Sequence, residues 1–210
     1  MLRERRTFVL NSLVMSPSRE VGERTRDAIL ERAADLASLE GLEGLTIGRL
    51  STELGMSKSG LFSHFGSKEE LQLATVARAT SVLWREVVEP AALTEPGIAR
   101  LRALLEGYLR YLEREVFPGG CFLKAAAAEF DGRPGSVRDA IVQASRAWGD
   151  ELEGQAEAAR ALGELSVDLD PAQLAFELNA LADAANAVYQ LHGDRRAFER
   201  AREAIARLLG

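Results

Sequence analysis

Residues 46–71 contain the polar side chains whose types and spacing are best suited to contacting another molecule. Their sequence, TIGRLSTELGMSKSGLFSHFGSKEEL, holds two short helical patterns on either side of Gly55. Apolar residues predicted to hold the two helices together recur on one side: Leu50, Leu54, Met56, Leu61 and Phe65. The opposite side of the second pattern carries residues predicted to face outward: Lys58, Ser59, Gly60, Phe62, Ser63 and His64. Short side chains allow close approach, and Lys58 can contact phosphate or the acceptor atoms of guanine.

Two short helices joined by a tight turn bury little core. Their role is therefore to expose the outer face of the second helix to a binding partner. This geometry is typical of a helix-turn-helix, in which the second helix enters the major groove of DNA. Thr46 and Ser57 are predicted N-caps, and each hydroxyl is also a candidate DNA contact. Ser67 and Glu70 form a predicted capping box, and Lys68 is placed to contact phosphate.

Residues 24–71 resemble the DNA-binding domain of the TetR family. The resemblance rests on GLEGLTI at residues 41–47 and on SKSGLFSHFGSK at residues 57–68. Phe62 stands where the family often has tyrosine, and Ser63 replaces a second aromatic residue, so the base preference is expected to differ. The resemblance implies a repressor that binds a palindromic double-stranded DNA operator as a homodimer. It also implies release by a small molecule and dimerisation through the last two helices, at about residues 173–209.

The composition favours an all-α fold, because alanine, leucine, glutamate and arginine dominate and 47% of residues are hydrophobic. We predict an N-terminal three-helix helix-turn-helix domain over residues 24–67, followed by a larger helical ligand-binding and dimerisation domain over residues 68–210. Residues 1–23 are interpreted as a flexible arm that carries Arg3, Arg5 and Arg6, with translation starting at Met1 or Met15. Arg24 and Arg26 either contact the DNA backbone or only solvate the first helix.

The effector of such a regulator would bind among the aromatic residues of the larger domain. The candidate lining residues are Trp84, Tyr108, Tyr111, Cys121, Phe122, Phe130 and Trp148. Cys121 is the single cysteine, which leaves open a thiol-based redox regulator in which Lys124, one helical turn away, stabilises a thiolate. An all-α enzyme is the alternative from a different class.

The bulk properties exclude several other functions. The formal net charge of −6 does not favour DNA binding by itself, but a local cluster of cations is sufficient for it. One cysteine and two histidines give no basis for a zinc site, and we predict neither metal nor cofactor. No apolar run approaches the roughly 18 residues that a membrane span needs, so we predict no membrane partner. The single cysteine allows no intramolecular disulfide, so we expect the reducing cytoplasm as the location.

Overall fold

A computed structural model describes the chain from residue 17 to residue 210, with side chains from residue 22. This part of the chain is helical and contains no β-strand, which confirms the predicted all-α class. The helices are α1 (Pro17–Glu40), α2 (Ile47–Leu54), α3 (Lys58–Phe65), α4 (Lys68–Leu83), α5 (Glu89–Ala91), α6 (Ile98–Glu113), α7 (Phe122–Phe130), α8 (Ser136–Ala161), α9 (Pro171–His192) and α10 (Arg196–Leu209).

Helices α1 to α3 form the N-terminal unit. The predicted apolar face of α1 is buried, with Ile29, Ala33 and Leu36 in the core. Helix α1 begins at Pro17, which is earlier than the predicted start near residue 24, so residues 17–23 of the proposed arm are helical. Proline suits a first helical turn because its φ is already helical and it has no N–H to leave unpaired. The rest of the proposed arm, including Arg3, Arg5, Arg6 and Met15, lies outside the described residues.

Helix α4 connects the N-terminal unit to the larger domain. It continues through a π-helical turn, Trp84–Val88, into the short helix α5. The sequence predicts an unbroken helix to about Glu89, and the widened turn comes immediately before Pro90. Proline lacks an N–H and its ring crowds the carbonyl four residues earlier, which accounts for a change of helical pitch at this point.

Helices α6 to α10 enclose the core of the larger domain. Helix α9 packs mainly on α8 and α10, while α4 crosses beside α8. The buried side chains include Tyr108 and Leu112 of α6, Trp148 and Leu152 of α8, and Phe198 of α10. No helix within residues 17–210 is long and apolar enough to cross a membrane.

Candidate nucleic-acid interface and effector cavity

Local hydrogen bonds shape the α2–turn–α3 unit as the sequence predicts. Thr46 Oγ1 accepts from the backbone N–H of Arg49 (3.0 Å), and Ser57 Oγ accepts from the N–H of Gly60 (3.1 Å). Gly55 ends α2 in the left-handed region at φ 63° and ψ 23°, where a residue without Cβ carries no penalty. Leu50 and Leu61 are fully buried between the helices. The unit therefore has the geometry of a helix-turn-helix.

The outer face of α3 carries the predicted contact residues. Phe62 is 53% exposed although it is a large apolar side chain. The other predicted contacts on α3 are exposed or half-exposed: Lys58, Ser59, Gly60, Ser63 and His64. This face contains no acidic residue. An exposed aromatic ring on a short polar helix suits contact with a sugar or a thymine methyl group.

Several hydroxyls on this face already have partners within α3. Ser63 Oγ donates to the carbonyl of Gly60 (2.6 Å), and the hydroxyls of Ser57 and Ser59 lie 3.3 Å apart. To donate to a phosphate oxygen, Ser63 must exchange its bond to the helix carbonyl. Ser57 and Thr46 are engaged as caps, so their first role is to hold the helix starts in place.

The predicted cationic contacts have different surroundings. Lys58 is exposed and its side chain lies beside Gly48 of α2. Lys68 Nζ lies 2.7 Å from Glu43 Oε1, and this bond lowers the pKa of Glu43. His64 is half-buried next to the ring of Phe65, and Arg26 of α1 places its guanidinium 5.1 Å from the centre of that same ring. Arg26 thus lies beside the end of α3.

Ion pairs fix α2 against α1. Glu53 accepts from Arg32 Nε (2.9 Å) and from Arg49 Nη1 (2.9 Å), and Arg49 Nε donates to Glu40 (2.9 Å). The hydrogen bonds that Glu53 accepts lower its pKa, and the bond from Arg32 has a larger effect than the bond from Arg49. Together with the apolar contacts, this network sets the position of the helix-turn-helix on α1.

Helix α7 of the larger domain contacts the loop that precedes α2. The carboxylate of Glu129 accepts from the backbone N–H of Leu42 (2.7 Å) and of Glu43 (3.1 Å). Gln72 of α4 donates to the carbonyl of Leu42 (2.8 Å), and Arg133 lies 3.5 Å from Glu43. Sequence reasoning missed Glu129, because its partners are 87 and 86 residues away and no local pattern marks them.

A second contact between the domains lies at the end of α1. The backbone N–H of Gly119 donates to Ser38 Oγ (3.1 Å). A Cβ at Gly119 would overlap the backbone carbonyl of Ser38, so the two segments approach as closely as glycine permits. The segment before α7 and α7 itself are therefore both attached to the N-terminal unit.

The larger domain holds a small internal void of about 10 Å³, which is about the size that accommodates one water molecule. Three of the candidate residues line it, namely Tyr108, Cys121 and Trp148, together with Leu83, Leu123, Lys124 and Ser145. The remaining candidates lie elsewhere: Tyr111 and Phe122 in the core, Trp84 in the π-helical turn, and Phe130 in a separate surface cleft.

The void is surrounded by paired polar groups. Trp148 Nε1 donates to Asn179 Oδ1 (2.9 Å), and Asn179 donates to Asp183 (3.1 Å). Lys124 Nζ lies 2.6 Å from Asp183 Oδ2. These polar groups, of which Lys124, Asn179 and Asp183 are half-buried, connect α7, α8 and α9 to one another.

Cys121 lies in the wall of this void and is buried. Burial raises the pKa of the Cys121 thiol, and the nearby Lys124 is occupied by Asp183. A redox-sensing cysteine needs a lowered pKa and access to solvent. The surroundings of Cys121 therefore favour a structural role. Among the described residues, no group of three histidine, cysteine or acidic side chains is arranged to hold a metal ion.

A helix-turn-helix attached to a larger helical domain defines a class of two-domain DNA-binding regulators. Residues 29–75 match the family described as "Bacterial regulatory proteins, tetR family", and residues 97–205 match "Tetracyclin repressor-like, C-terminal domain". The second match alone covers half of the chain, and the chain belongs to the TetR family of transcriptional regulators.

Similar proteins include the HTH-type transcriptional repressor AcnR from two corynebacteria. AcnR of Corynebacterium glutamicum is 39% identical over 87 residues, which cover 41% of this chain and 44% of that protein. AcnR of Corynebacterium efficiens is 38% identical over 87 residues, with the same coverage. The chain thus matches less than half the length of these curated relatives.

Solved structures match over almost the whole chain. A TetR transcriptional regulator from Chloroflexus aurantiacus has a TM-score of 0.83 at 24% identity, covering 90% of this chain and 95% of that one. The structure of AibR in complex with isovaleryl coenzyme A and operator DNA has a TM-score of 0.69 at 22% identity, covering 86% and 95%. A regulator from Saccharomonospora viridis in complex with choline has a TM-score of 0.71 at 22% identity, covering 89% and 96%. These likenesses establish the fold.

Proposed function

We propose that this protein is a transcriptional repressor that binds a palindromic operator through α3 and is released by a small molecule. The proposal rests on the outer face of α3. This face carries Lys58, Phe62 and short polar residues, and the larger domain leaves it uncovered. The predicted contacts on α3 belong to this face, and Thr46 and Lys68 flank it. A cytoplasmic location is part of the proposal, because the operator lies in that compartment.

The proposal requires a homodimer, and α9 offers the surface for one. Phe176 and Leu191 are 69% and 78% exposed. Between them lie the exposed alanines Ala180, Ala184 and Ala187, so that one side of α9 presents an uncovered apolar stripe at helical spacing. We call these five residues the α9 stripe. Large exposed apolar patches mark interfaces, and small residues between two large ones allow close approach of a second helix.

Helix α10 extends this surface. A groove of about 310 Å³ runs between α9 and α10, lined mainly by Leu181, Val188, Ala197, Ala201 and Ala204. Two copies that pack α9 and α10 together would form a four-helix bundle. A two-fold axis through that bundle would relate two α3 helices, which read half-sites one DNA turn (about 34–36 Å) apart or a multiple of it.

Release follows if the effector favours a conformation in which the two α3 helices are wrongly spaced. Helix α7 can transmit this change from the larger domain to the helix-turn-helix, because it contacts both. Its Lys124 lines the internal void, and its Glu129 holds the backbone of the loop before α2. A shift of α7 would carry that loop, and α2 with it. The solved neighbours hold isovaleryl coenzyme A in one case and choline in another, so the fold leaves the charge of the effector open.

Selection of bound fragments from random duplex DNA, at a stated salt concentration, tests the function. We expect an inverted repeat to be recovered, and the same protein with Lys58→Ala and Phe62→Ala to recover it poorly. Recovery of nothing above background by the intact protein would contradict operator binding and would return attention to the enzyme alternative.

A further inference from the structure

A surface cleft between α7 and α8 combines apolar walls with unpaired positive charge. The cleft has a volume of about 340 Å³. Arg138 donates from Nε to the backbone carbonyl of Asp131 (3.1 Å). Within residues 22–210, no carboxylate oxygen lies within 4.0 Å of a guanidinium nitrogen of Arg138 or Arg146. The lining residues are Ala127, Phe130, Asp131, Arg138, Ile141, Val142, Ser145 and Arg146.

A second groove, between the π-helical turn and α6, shows the contrast. It is larger, at about 420 Å³, but its charged residues neutralise one another. Arg110 pairs with Glu106 (2.7 Å), and Arg114 pairs with Glu86 (2.8 Å). The α7–α8 cleft has two arginines against the single Asp131, which leaves a net charge of +1 in its lining. Of these two grooves, the α7–α8 cleft is therefore the one whose arginines are available to an acidic ligand.

The apolar part of the cleft leads inward. Phe130 and Ile141 are buried, while Arg146 is exposed at the rim. Ser145 lines both the cleft and the internal void beside Trp148. A ligand with a charged head at the rim would thus place its apolar body on Phe130 and Ile141 and direct it towards Trp148.

We propose that this cleft binds an amphipathic anion, with its acid group held by Arg138 and Arg146 and its hydrocarbon chain on Phe130 and Ile141. Guanidinium groups bind carboxylate and phosphate through two parallel hydrogen bonds, and both acids fit this chemistry. That binding of this anion releases the protein from DNA rests on the function proposed above. Phe130 packs under the guanidinium of Arg133 (5.6 Å from the ring centre), and Arg133 also faces Glu43 of the loop before α2.

Fluorescence of Trp148 provides a direct binding measurement. The chain has two tryptophans, so Trp84→Phe leaves Trp148 as the only reporter, and this background is used for every titration. The probes are octanoate and octyl phosphate, with 1-octanol and octylamine as neutral and cationic counterparts of equal chain length. We expect an anionic probe to change Trp148 emission and to bind at least about tenfold more tightly than the alcohol or the amine. The preferred anion then identifies the head group as carboxylate or phosphate.

Paired variants test the site. Arg138→Gln combined with Arg146→Gln is expected to weaken binding of the anion by at least about tenfold and to leave binding of the alcohol unchanged. Arg110→Gln, which removes an arginine from the other groove, is the matched control and is expected to change nothing. Equal binding of alcohol and anion, unchanged binding by the double variant, or no binding of any probe would overturn the proposal.

The two proposals fail separately in this design. Titrations without DNA test the cleft alone, whatever the outcome of operator selection. With a selected operator present, the favoured anion is expected to release the intact protein and not the double arginine variant. Loss of operator binding with intact probe binding would contradict the proposed function only, and intact operator binding without probe binding would contradict the cleft only.

Discussion

Lys58 and Lys68 carry the same charge, but the structure gives them different neighbours. Lys58 is exposed on the outer face of α3, whereas Lys68 is paired with Glu43. We expect Lys58→Ala to cost about 1–3 kcal/mol of operator binding and to relax the preference at one base pair, if Lys58 reads guanine. Anisotropy titrations with single-base operator variants measure this, and an unchanged base preference would reassign Lys58 to a phosphate.

Lys68→Ala is expected to weaken binding to all DNA sequences alike and to reduce the slope of log K against log salt by about one unit. Glu43→Gln is the informative partner variant. It frees Lys68 and removes a negative charge beside it, so it should strengthen non-specific binding at low salt. A change of operator preference in either variant would contradict a phosphate role for Lys68.

Cys121 is expected to be unreactive in the folded protein because burial raises the pKa of its thiol. At pH 8 the Cys121 thiol of the folded protein should react with an aromatic disulfide at least about a hundredfold more slowly than the same thiol in the urea-unfolded protein. The reason is that reaction requires opening of the fold. Reaction at the unfolded rate would restore the redox alternative, as would loss of effector response in Cys121→Ser alone.

The raised pKa of Cys121 also fixes the sign of a pH effect. Above the pKa of an unfolded thiol, about 8.5, the unfolded chain loses a proton that the folded chain retains. The free energy of unfolding should therefore fall as pH rises past that value. Cys121→Ala should show a shallower decline between about pH 7.5 and 9.5 in urea titrations, and an equal decline would mean that the thiol is not responsible.

At the scale of an element, two glycines predict opposite effects of the same substitution. Gly55 adopts φ 63° at the end of α2, and a Cβ there would meet no other atom within 4 Å, so Gly55→Ala should cost about 1–2 kcal/mol from backbone conformation alone. Gly154 lies inside α8 with open space beside it, so Gly154→Ala should stabilise the protein by about 0.5–1 kcal/mol. Urea unfolding measures both, and changes of the same sign would contradict the assigned conformations.

The contact of α7 with the DNA-binding unit depends on Glu129. Glu129→Gln removes the charge that strengthens the bonds from Leu42 and Glu43, at an expected cost of about 1.5–3 kcal/mol. Native-state hydrogen exchange should show faster exchange at those two amides. Glu157→Gln, at an exposed position of α8, is the control. Unchanged protection of both amides in Glu129→Gln would contradict the role of α7 as the connection.

These elements also show what the sequence can and cannot predict. The caps at Thr46 and Ser57 were predictable because each bonds a backbone N–H three residues away. The predicted capping box forms only in part: Ser67 accepts from Glu70 N–H, but the Ser67 N–H donates to the Phe65 carbonyl. Glu129 and the α7–α8 cleft depend on helices that meet only after folding, and no spacing along the chain encodes those contacts.

At the scale of the whole molecule, the proposed homodimer depends on the α9 stripe. Phe176→Glu places a charge in an interface that must be desolvated, so the protein should become monomeric at micromolar concentration in sedimentation measurements. Leu93→Glu, on a residue that is 90% exposed outside α9, is the control and should leave the mass unchanged. A dimer that survives Phe176→Glu would place the interface elsewhere.

Binding of the protein to a selected operator and to its isolated half-site, at one salt concentration, is the decisive test of a dimeric operator-binding repressor. If two copies read two half-sites, two chains should bind each full operator, and the full operator should bind much more tightly than the half-site. Phe176→Glu should then remove most of that difference. Equal affinity for full and half operators, with one chain bound to each, would contradict a repressor that reads its operator as a dimer.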